Sequence, residues 1–358
     1  MILTRLDIAN LRNIRSLSIA PHPSLNLVTG SNGAGKSSIL EAIQCISTGH
    51  SFRTRKAREL IHREEQNFTL AALFNDPLTE REHRAGLLRK RDGGLEYRLD
   101  FEEISSIAEI TRLLPVKSIT PDSHKLVQDG PEERRQFLDW GVFHMEPRFY
   151  EVWKQFKRSL SQRNQLLRES GTAAELKNWD SLFADASNEL DMMRQYYVQE
   201  LSAALSQRLS DMNTTFHVEL HYRRGWAEDS VLAELLVEHV DYHRRMKTTT
   251  DGPHRAELVL QTDGSVAKQV LSRGQQKVLV YLLHLAQLDL LSSKHTRRAV
   301  VLCDDLTSEL DAEHSTNLIN QLVALNSQIF VSGVNLDVLK AQSHTQIEMT
   351  YGALKNVV

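Results

Sequence analysis

"SLNLVTGSNGAGKSSILEAIQCIS", residues 24–47, is the stretch that decides the fold. An apolar strand runs into a glycine loop that opens a helix, and the loop matches G-x-x-x-x-G-K-S at Gly30, Gly35, Lys36 and Ser37. Glycines let backbone N–H groups point at phosphate oxygens, and the helix N-terminus adds partial positive charge. We therefore predict a nucleotide-binding loop; a plain glycine-rich turn is the alternative, which the strand and helix on either side disfavour.

Every residue of this loop is a candidate nucleotide ligand: Gly30, Ser31, Asn32, Gly33, Ala34, Gly35, Lys36, Ser37 and Ser38. Lys36 is expected to reach the β- and γ-phosphates and to act in catalysis, and the Ser37 hydroxyl is expected to bind Mg²⁺. The second half of such a site is an acid at the end of a neighbouring buried strand, which "AVVLCDD", residues 299–305, supplies. We predict that Asp304 binds Mg²⁺ and that Asp305 activates water. Alone this pattern is weak, and an ordinary loop after a strand is its alternative.

Predicted elements follow the order sheet, helices, sheet. Partial alternation in "ILTRLDIA" and "SLSIA" predicts strands near the N-terminus, and apolar residues spaced three to four apart predict a long helix from Trp179 to Met212. We expect an α/β fold in which a P-loop head, a mixed sheet with helices, is interrupted by a mainly helical lobe. The predicted head covers residues 1–115 and 293–358, and the predicted helical lobe covers residues 116–292.

Composition is that of an ordinary soluble protein, with 41% hydrophobic and 25% charged residues among 358. No apolar run is long enough to span a bilayer, and the N-terminus lacks the pattern of a secretory signal. We therefore expect a cytoplasmic protein without a membrane partner. Cys45 and Cys303 lie in apolar segments, which favours buried thiols over a disulfide or a metal site.

A net charge of −3 does not by itself indicate a nucleic-acid partner, but residues 50–63 carry five cationic side chains and a single acid. Two interpretations stay open for this segment. It is either a solvated loop or a surface that contacts the phosphates of DNA. The candidate DNA-binding residues are Arg53, Arg55, Lys56 and Arg58.

"LSRGQ", residues 271–275, places polar residues at the start of a long apolar helix and resembles the ABC-ATPase signature LSGGQ. In that family the motif faces the γ-phosphate of a nucleotide bound by the partner subunit. The resemblance implies nucleotide contacts from Ser272, Arg273, Gly274 and Gln275. The alternative is that Ser272 is only a helix N-cap, with nothing bound.

Further stretches resemble the SMC-like branch of these ATPases. "SELD", residues 308–311, resembles the D-loop and implies a nucleotide contact from Asp311. "ANLRNI", residues 9–14, resembles the early Asn-Leu-Arg motif and implies that Arg12 and Asn13 approach the nucleotide. With "GHSFRT", "ITPDSHKLVQDGPEERRQFLDW" and "TTTDGPHRAEL", the chain resembles the RecF family over essentially its whole length.

This resemblance implies an ABC-ATPase-like head that binds ATP and Mg²⁺ and forms a homodimer when ATP is bound. It also implies binding to double-stranded and gapped DNA, weak DNA-stimulated ATP hydrolysis, and help in loading recombinase at single-strand gaps during repair and replication restart. RecO and RecR are the implied protein partners. The alternatives are the nucleotide-binding subunit of an ABC transporter, which shares the ATP motifs, and a P-loop kinase, which has no use for "LSRGQ".

Three positions depart from the transporter pattern. Asp305 stands where a glutamate is usual, and the shorter carboxylate suits slow hydrolysis. Gly333 ends a strand where a switch histidine is common, and Lys117 lies near the expected position of a metal-contacting glutamine. The switch and glutamine roles are therefore unassigned, and the sequence does not decide what Arg273 does.

Overall fold

The computed structural model describes residues 1–76, 79–169, 171–295, 298–305, 312–325, 327–334, 336, 339 and 345–357. The chain divides into two compact units, residues 1–123 with 291–358, and residues 124–290. The first boundary falls later than the expected position at residue 115 because the strand that contains Lys117 pairs within the sheet of the first unit. No described helix combines the length and apolar character needed to cross a bilayer.

Strand-rich segments at both ends of the chain flank a mainly helical middle, which is the order sheet, helices, sheet that the sequence predicts. The strands are β1 (Ile2–Leu11), β2 (Ile14–Ile19), β3 (Leu25–Thr29), β4 (Asn67–Asn75), β5 (Glu82–Lys90), β6 (Leu95–Leu99), β7 (Glu102–Ile104), β8 (Val116–Ile119), β9 (Glu219–Arg223), β10 (Glu257–Thr262), β11 (Ser265–Val266), β12 (Val300–Cys303), β13 (Gln328–Gly333), β14 (Thr345–Thr350) and β15 (Ala353–Val357). The helices are α1 (Lys36–Thr48), α2 (Ala57–Leu60), α3 (Ala108–Leu113), α4 (Lys125–Gln128), α5 (Pro131–Met145), α6 (Phe149–Glu169), α7 (Ala173–Asp211), α8 (Leu232–Glu238), α9 (Val240–Met246), α10 (Ala267–Val270), α11 (Arg273–His295) and α12 (Ala312–Ala324).

Two six-stranded sheets form the first unit. One is antiparallel, with the order β2-β1-β4-β5-β6-β7, and the other has the order β15-β14-β3-β13-β12-β8. In the second sheet β14, β3, β13, β12 and β8 run parallel, and only β15 is antiparallel. Strands β3, β12 and β13 are buried along their whole length, as continuous apolar strands of a parallel sheet are. The predicted α/β head with a mixed sheet is confirmed.

Helix α1 contacts strands of both sheets and buries most of its residues, so the start of this helix is fixed firmly in the first unit. Its N-terminus follows β3. The C-terminal ends of β3, β12 and β13 lie at one edge of the parallel sheet, which is where open α/β sheets bind their ligands. Both cysteines, Cys45 in α1 and Cys303 in β12, are buried and free, and burial raises the pKa of the Cys303 thiol to about 12.

The second unit is built mainly from helices, together with a small sheet of order β11-β10-β9. Helix α7 contains the predicted run from Trp179 and begins at a capping box, in which the side chains of Thr172 and Glu175 bond each other's backbone N–H groups. The guanidinium of Arg163 is fully buried beside Asp180, at 2.6 Å. A buried charge of this kind is tolerated because it is paired and hydrogen-bonded.

Candidate nucleotide site

The first turn of α1 and the end of β13 meet at one buried carboxylate, which follows β12. Ser37 Oγ donates to Asp304 Oδ1 at 2.7 Å, although 267 positions separate the two residues. Ser332 Oγ also donates to Asp304 Oδ1, at 2.7 Å, and accepts the backbone N–H of Asp305 at 3.0 Å. The carboxylate of Asp304 is only 1% exposed. The fold therefore brings together the two oxygen groups that the sequence marks as Mg²⁺ ligands.

The glycine loop curls tightly around the side chain of Lys36. Its Nζ donates to the carbonyl oxygens of Gly30 at 2.8 Å and of Ser31 at 2.9 Å, and burial lowers the pKa of the ammonium against the pull of nearby carboxylates. Gly30 has φ of 145°, and a Cβ at this position would lie 2.5 Å from the carbonyl oxygen of Met349 in β14. Only glycine fits there, so packing against β14 fixes the path of the loop.

The turn between β1 and β2 closes over the loop from the antiparallel sheet. Asn13 Nδ2 donates to the carbonyl of Gly33 at 2.9 Å, and Asn13 Oδ1 accepts from Ser38 Oγ at 3.2 Å. Arg12 has φ of 55° and pairs with the buried carboxylate of Glu41 at 2.7 Å. Both Arg12 and Asn13 line the same cavity of about 940 Å³ as the glycine loop.

Arg53 lies inside this site. Its Nη2 donates to Asp304 Oδ2 at 2.7 Å and to Ser37 Oγ at 2.9 Å, so it bridges the two expected metal ligands. Sequence reasoning placed Arg53 with the DNA-binding residues. A second member of that group, Arg58, also lines the cavity, whereas Arg55 and Lys56 are exposed on the same segment.

The signature stretch lies in the second unit and begins helix α11. Gln275 N–H donates to Ser272 Oγ at 3.3 Å, and Ser272 N–H donates to Gln275 Oε1 at 2.9 Å, which is a capping box. Ser272 is therefore a helix N-cap in the structure, and this capping role is compatible with a contact to nucleotide. Ser272, Arg273 and Gly274 are exposed. Apart from Gly274, its chain neighbours and the backbone of its own helix, no described residue comes within 4 Å of the position that a Cβ on Gly274 would take. Asp311 lies outside the described residues.

Sequence reasoning missed several contributors to the site. Glu41, 1% exposed, anchors Arg12, and Ser332 orients Asp304 and Asp305. Neither is part of a local motif, and both act on residues far away in the sequence. Lys117 in β8 is fully buried, and burial holds the pKa of its ammonium well below the usual value.

One cluster in the second unit has metal-ligand chemistry. Asp251 Oδ2 lies 3.0 Å from His239 Nδ1 and 2.9 Å from His243 Nε2. Its geometry argues against a metal, because His243 Nδ1 lies 3.1 Å from Arg163 Nη2. A guanidinium only donates, so Nδ1 must accept, whereas a metal-bound imidazole donates from its other nitrogen. We interpret the cluster as a structural hydrogen-bond network.

Comparison with known proteins identifies relatives along the whole chain. The family model described as "RecF/RecN/SMC N terminal domain" matches residues 2–355. The DNA replication and repair protein RecF of Shewanella baltica (strain OS223) is 38% identical over 347 residues, covering 96% of this chain and 95% of that protein. RecF of Shewanella sp. (strain MR-7) is also 38% identical over 347 residues, with the same coverage of both chains.

Solved structures share the fold. The recombination mediator protein RecF with ATP, of the RecFOR pathway, superposes with a TM-score of 0.90 at 23% identity, covering 100% of this chain and 97% of that one. An Smc head bound to the C-terminal winged-helix domain of ScpA superposes with a TM-score of 0.59 at 19% identity, covering 100% and 97%. These likenesses confirm the predicted ABC-type head architecture.

Proposed function

The chain belongs to the RecF family of DNA replication and repair proteins, and from that premise we propose that it is an ATPase whose ATP-bound dimer binds duplex and gapped DNA. One observation carries the nucleotide-binding part of the proposal. The hydroxyl after the P-loop lysine and the carboxylate after β12 lie 2.7 Å apart, at the carboxyl edge of the parallel sheet.

The donor set at this point fits Mg²⁺. Serine and aspartate oxygens are the hard ligands that the ion prefers, and the guanidinium of Arg53 already serves there as a stand-in cation. Ser37 and Asp304 would hold the ion, which would neutralise charge on the β- and γ-phosphate oxygens. Lys36 would exchange its two carbonyl contacts for phosphate oxygens, and the curled backbone N–H groups would bind the remaining ones.

Asp305 is our candidate for orienting the attacking water. Its backbone has φ of 51° and its N–H is held by Ser332 Oγ, so its position is set by the ends of β12 and β13 together. A general base must be held within hydrogen-bond reach of the proton that it accepts. The carboxylate of aspartate reaches less far than that of glutamate, which supports slow turnover in this chain.

The exposed start of the signature helix α11 supports the proposed dimer. The capping box leaves Ser272 Oγ with a free acceptor site and an O–H group at the exposed N-terminus of a long helix, which is a favourable place for an anion. We infer that Ser272, Arg273, Gly274 and Gln275 of one subunit contact the γ-phosphate bound to residues 30–38 of the other. Two such composite sites would form in a symmetric dimer.

DNA contacts are proposed for Arg55 and Lys56, which are exposed, with Arg58 at the rim of the cavity. A DNA contact is proposed for Arg53 as well, for the state in which its guanidinium is released from Asp304 and Ser37. Contacts would go mainly to phosphates, so binding should weaken steeply with salt and depend little on sequence. Help in loading recombinase at single-strand gaps, and action with RecO and RecR, are proposed from family membership alone.

ATP turnover with and without double-stranded DNA tests this function. We expect slow turnover that duplex DNA stimulates, and retention of the ATP-bound protein on duplex DNA at low salt. Turnover that DNA leaves unchanged, with no retention, would refute the DNA-dependent function and leave a nucleotide-binding subunit of another kind.

A further inference from the structure

Arg53 occupies the position expected for the metal. Its Nη2 lies 2.7 Å from Asp304 Oδ2 and 2.9 Å from Ser37 Oγ, and these two oxygen groups are themselves joined by a hydrogen bond of 2.7 Å. Asp304 is 1% exposed, so its charge is buried and needs a cation close by. Arg53 supplies that cation.

Arg53 and a divalent ion cannot both use these oxygens. A guanidinium and Mg²⁺ a few Å apart repel each other, and the repulsion is strong where solvent is partly excluded. We propose, on the basis of the nucleotide site proposed above, that Arg53 competes with the metal for Ser37 and Asp304 and is displaced when the metal enters with the nucleotide.

Displacement would move the side chain and leave the backbone in place. Arg53 N–H is held by Ser51 Oγ at 2.9 Å, and Ser51 is itself bonded to the buried Glu41. The end of the segment is held by Arg12, whose N–H donates to the carbonyl of Leu60 at 2.6 Å. The Arg53 side chain is 50% exposed and can therefore swing toward solvent without opening the loop.

The test measures how much Mg²⁺ strengthens nucleotide binding. Titration calorimetry gives the Kd of ADP in Mg²⁺ and in EDTA for the full chain. The ratio of the Kd in EDTA to the Kd in Mg²⁺ reports how much the metal strengthens ADP binding. ADP is chosen because it lacks the γ-phosphate, which Arg53 could contact after it moves. Losing a half-exposed charged hydrogen bond corresponds to about a tenfold change, so Arg53→Ala should raise the ratio about tenfold. Its Kd in EDTA should stay within about threefold of the unmodified chain.

Matched variants complete the experiment. Arg81→Ala removes the same charge from an exposed ion pair with Asp100, and it should leave the ratio unchanged. Arg53→Lys keeps the charge but loses the planar fork, and its ratio should lie between those of the unmodified chain and Arg53→Ala. An unchanged ratio in Arg53→Ala, or an equal loss of affinity in Mg²⁺ and EDTA, would overturn the inference about Arg53 and leave the proposed nucleotide site standing. Absence of ADP and ATP binding in the unmodified chain would overturn the proposed nucleotide site and this inference together.

Discussion

Acid should destabilise the second unit through one buried imidazole, that of His254. Its Nε2 lies 2.9 Å from the carbonyl oxygen of Thr249 and donates to it, while its Nδ1 is buried and has no hydrogen-bond partner among the described residues. Protonation would place a charge and an unsatisfied donor at Nδ1. Burial, and to a lesser extent nearby cations such as Arg255, lowers the pKa of His254 from 6.5 to about 4.

The sign of the effect follows from this lowered pKa. Above pH 6.5 the imidazole is neutral in both the folded and the unfolded chain, so it does not change stability with pH. As the pH falls, the unfolded chain takes up the proton first, and the folded state loses stability until the pH reaches the pKa of the folded state. One pKa unit corresponds to about 1.36 kcal/mol, so the expected loss in free energy of unfolding is roughly 2 to 3 kcal/mol at pH 4.5.

Tryptophan fluorescence isolates the relevant unit because all four tryptophans lie within residues 124–290: Trp140, Trp153, Trp179 and Trp226. Urea unfolding at pH 7.0 and pH 4.5 would be compared between the unmodified chain and His254→Gln, whose amide can donate to Thr249 without titrating. The difference in unfolding free energy between the two chains should shift by roughly 2 to 3 kcal/mol in favour of the variant on acidification. A shift of less than about 0.5 kcal/mol would refute the reasoning, since other carboxylates and histidines affect both chains alike.

Two further predictions concern the nucleotide and the dimer. Lys36→Ala should abolish ATP binding in calorimetry and ATP-dependent dimerisation in sedimentation together, because the phosphates lose their main cation; dimerisation without binding would contradict this. Ser272→Ala should leave ATP binding by the monomer within about threefold of normal and weaken dimerisation, with helix capping reduced by about 1 kcal/mol. Ser272→Asn restores a good cap, so if it dimerises normally while Ser272→Ala does not, the serine acts only as a cap.

The parts of the site that local sequence encodes were predictable. The glycine loop, its lysine and its serine form one unbroken stretch between a strand and a helix, and the structure has β3, the loop and α1 in that order. The two aspartates after β12 follow an apolar run, and such a run predicts a buried strand. Because both segments end parallel strands of one sheet, the meeting of Ser37 with Asp304 follows from the topology that the two motifs indicate.

What could not be predicted depends on contacts between distant segments. Arg53 belongs to a basic segment whose composition indicates a polyanion surface, and nothing local shows that its guanidinium reaches a carboxylate 251 positions away. Ser332 is one small residue at the end of an apolar strand, without a motif of its own. The first domain boundary depends on β8, because a four-residue strand does not show from its sequence which unit it pairs in.

Mixing two defective variants tests whether each ATP site is completed by the partner subunit. Asp305→Asn removes the carboxylate proposed to orient the water, at a backbone of φ 51° that asparagine tolerates, and Ser272→Ala impairs the signature. Each variant alone should show little DNA-stimulated ATP turnover. At a protein concentration that saturates dimerisation of both variants, about half of the dimers in an equal mixture are mixed. Each mixed dimer holds one intact site of two, so turnover should recover to about a quarter of that of the unmodified chain. Turnover in the mixture equal to the mean of the separate variants would contradict the account, because it would mean that each subunit builds its site alone.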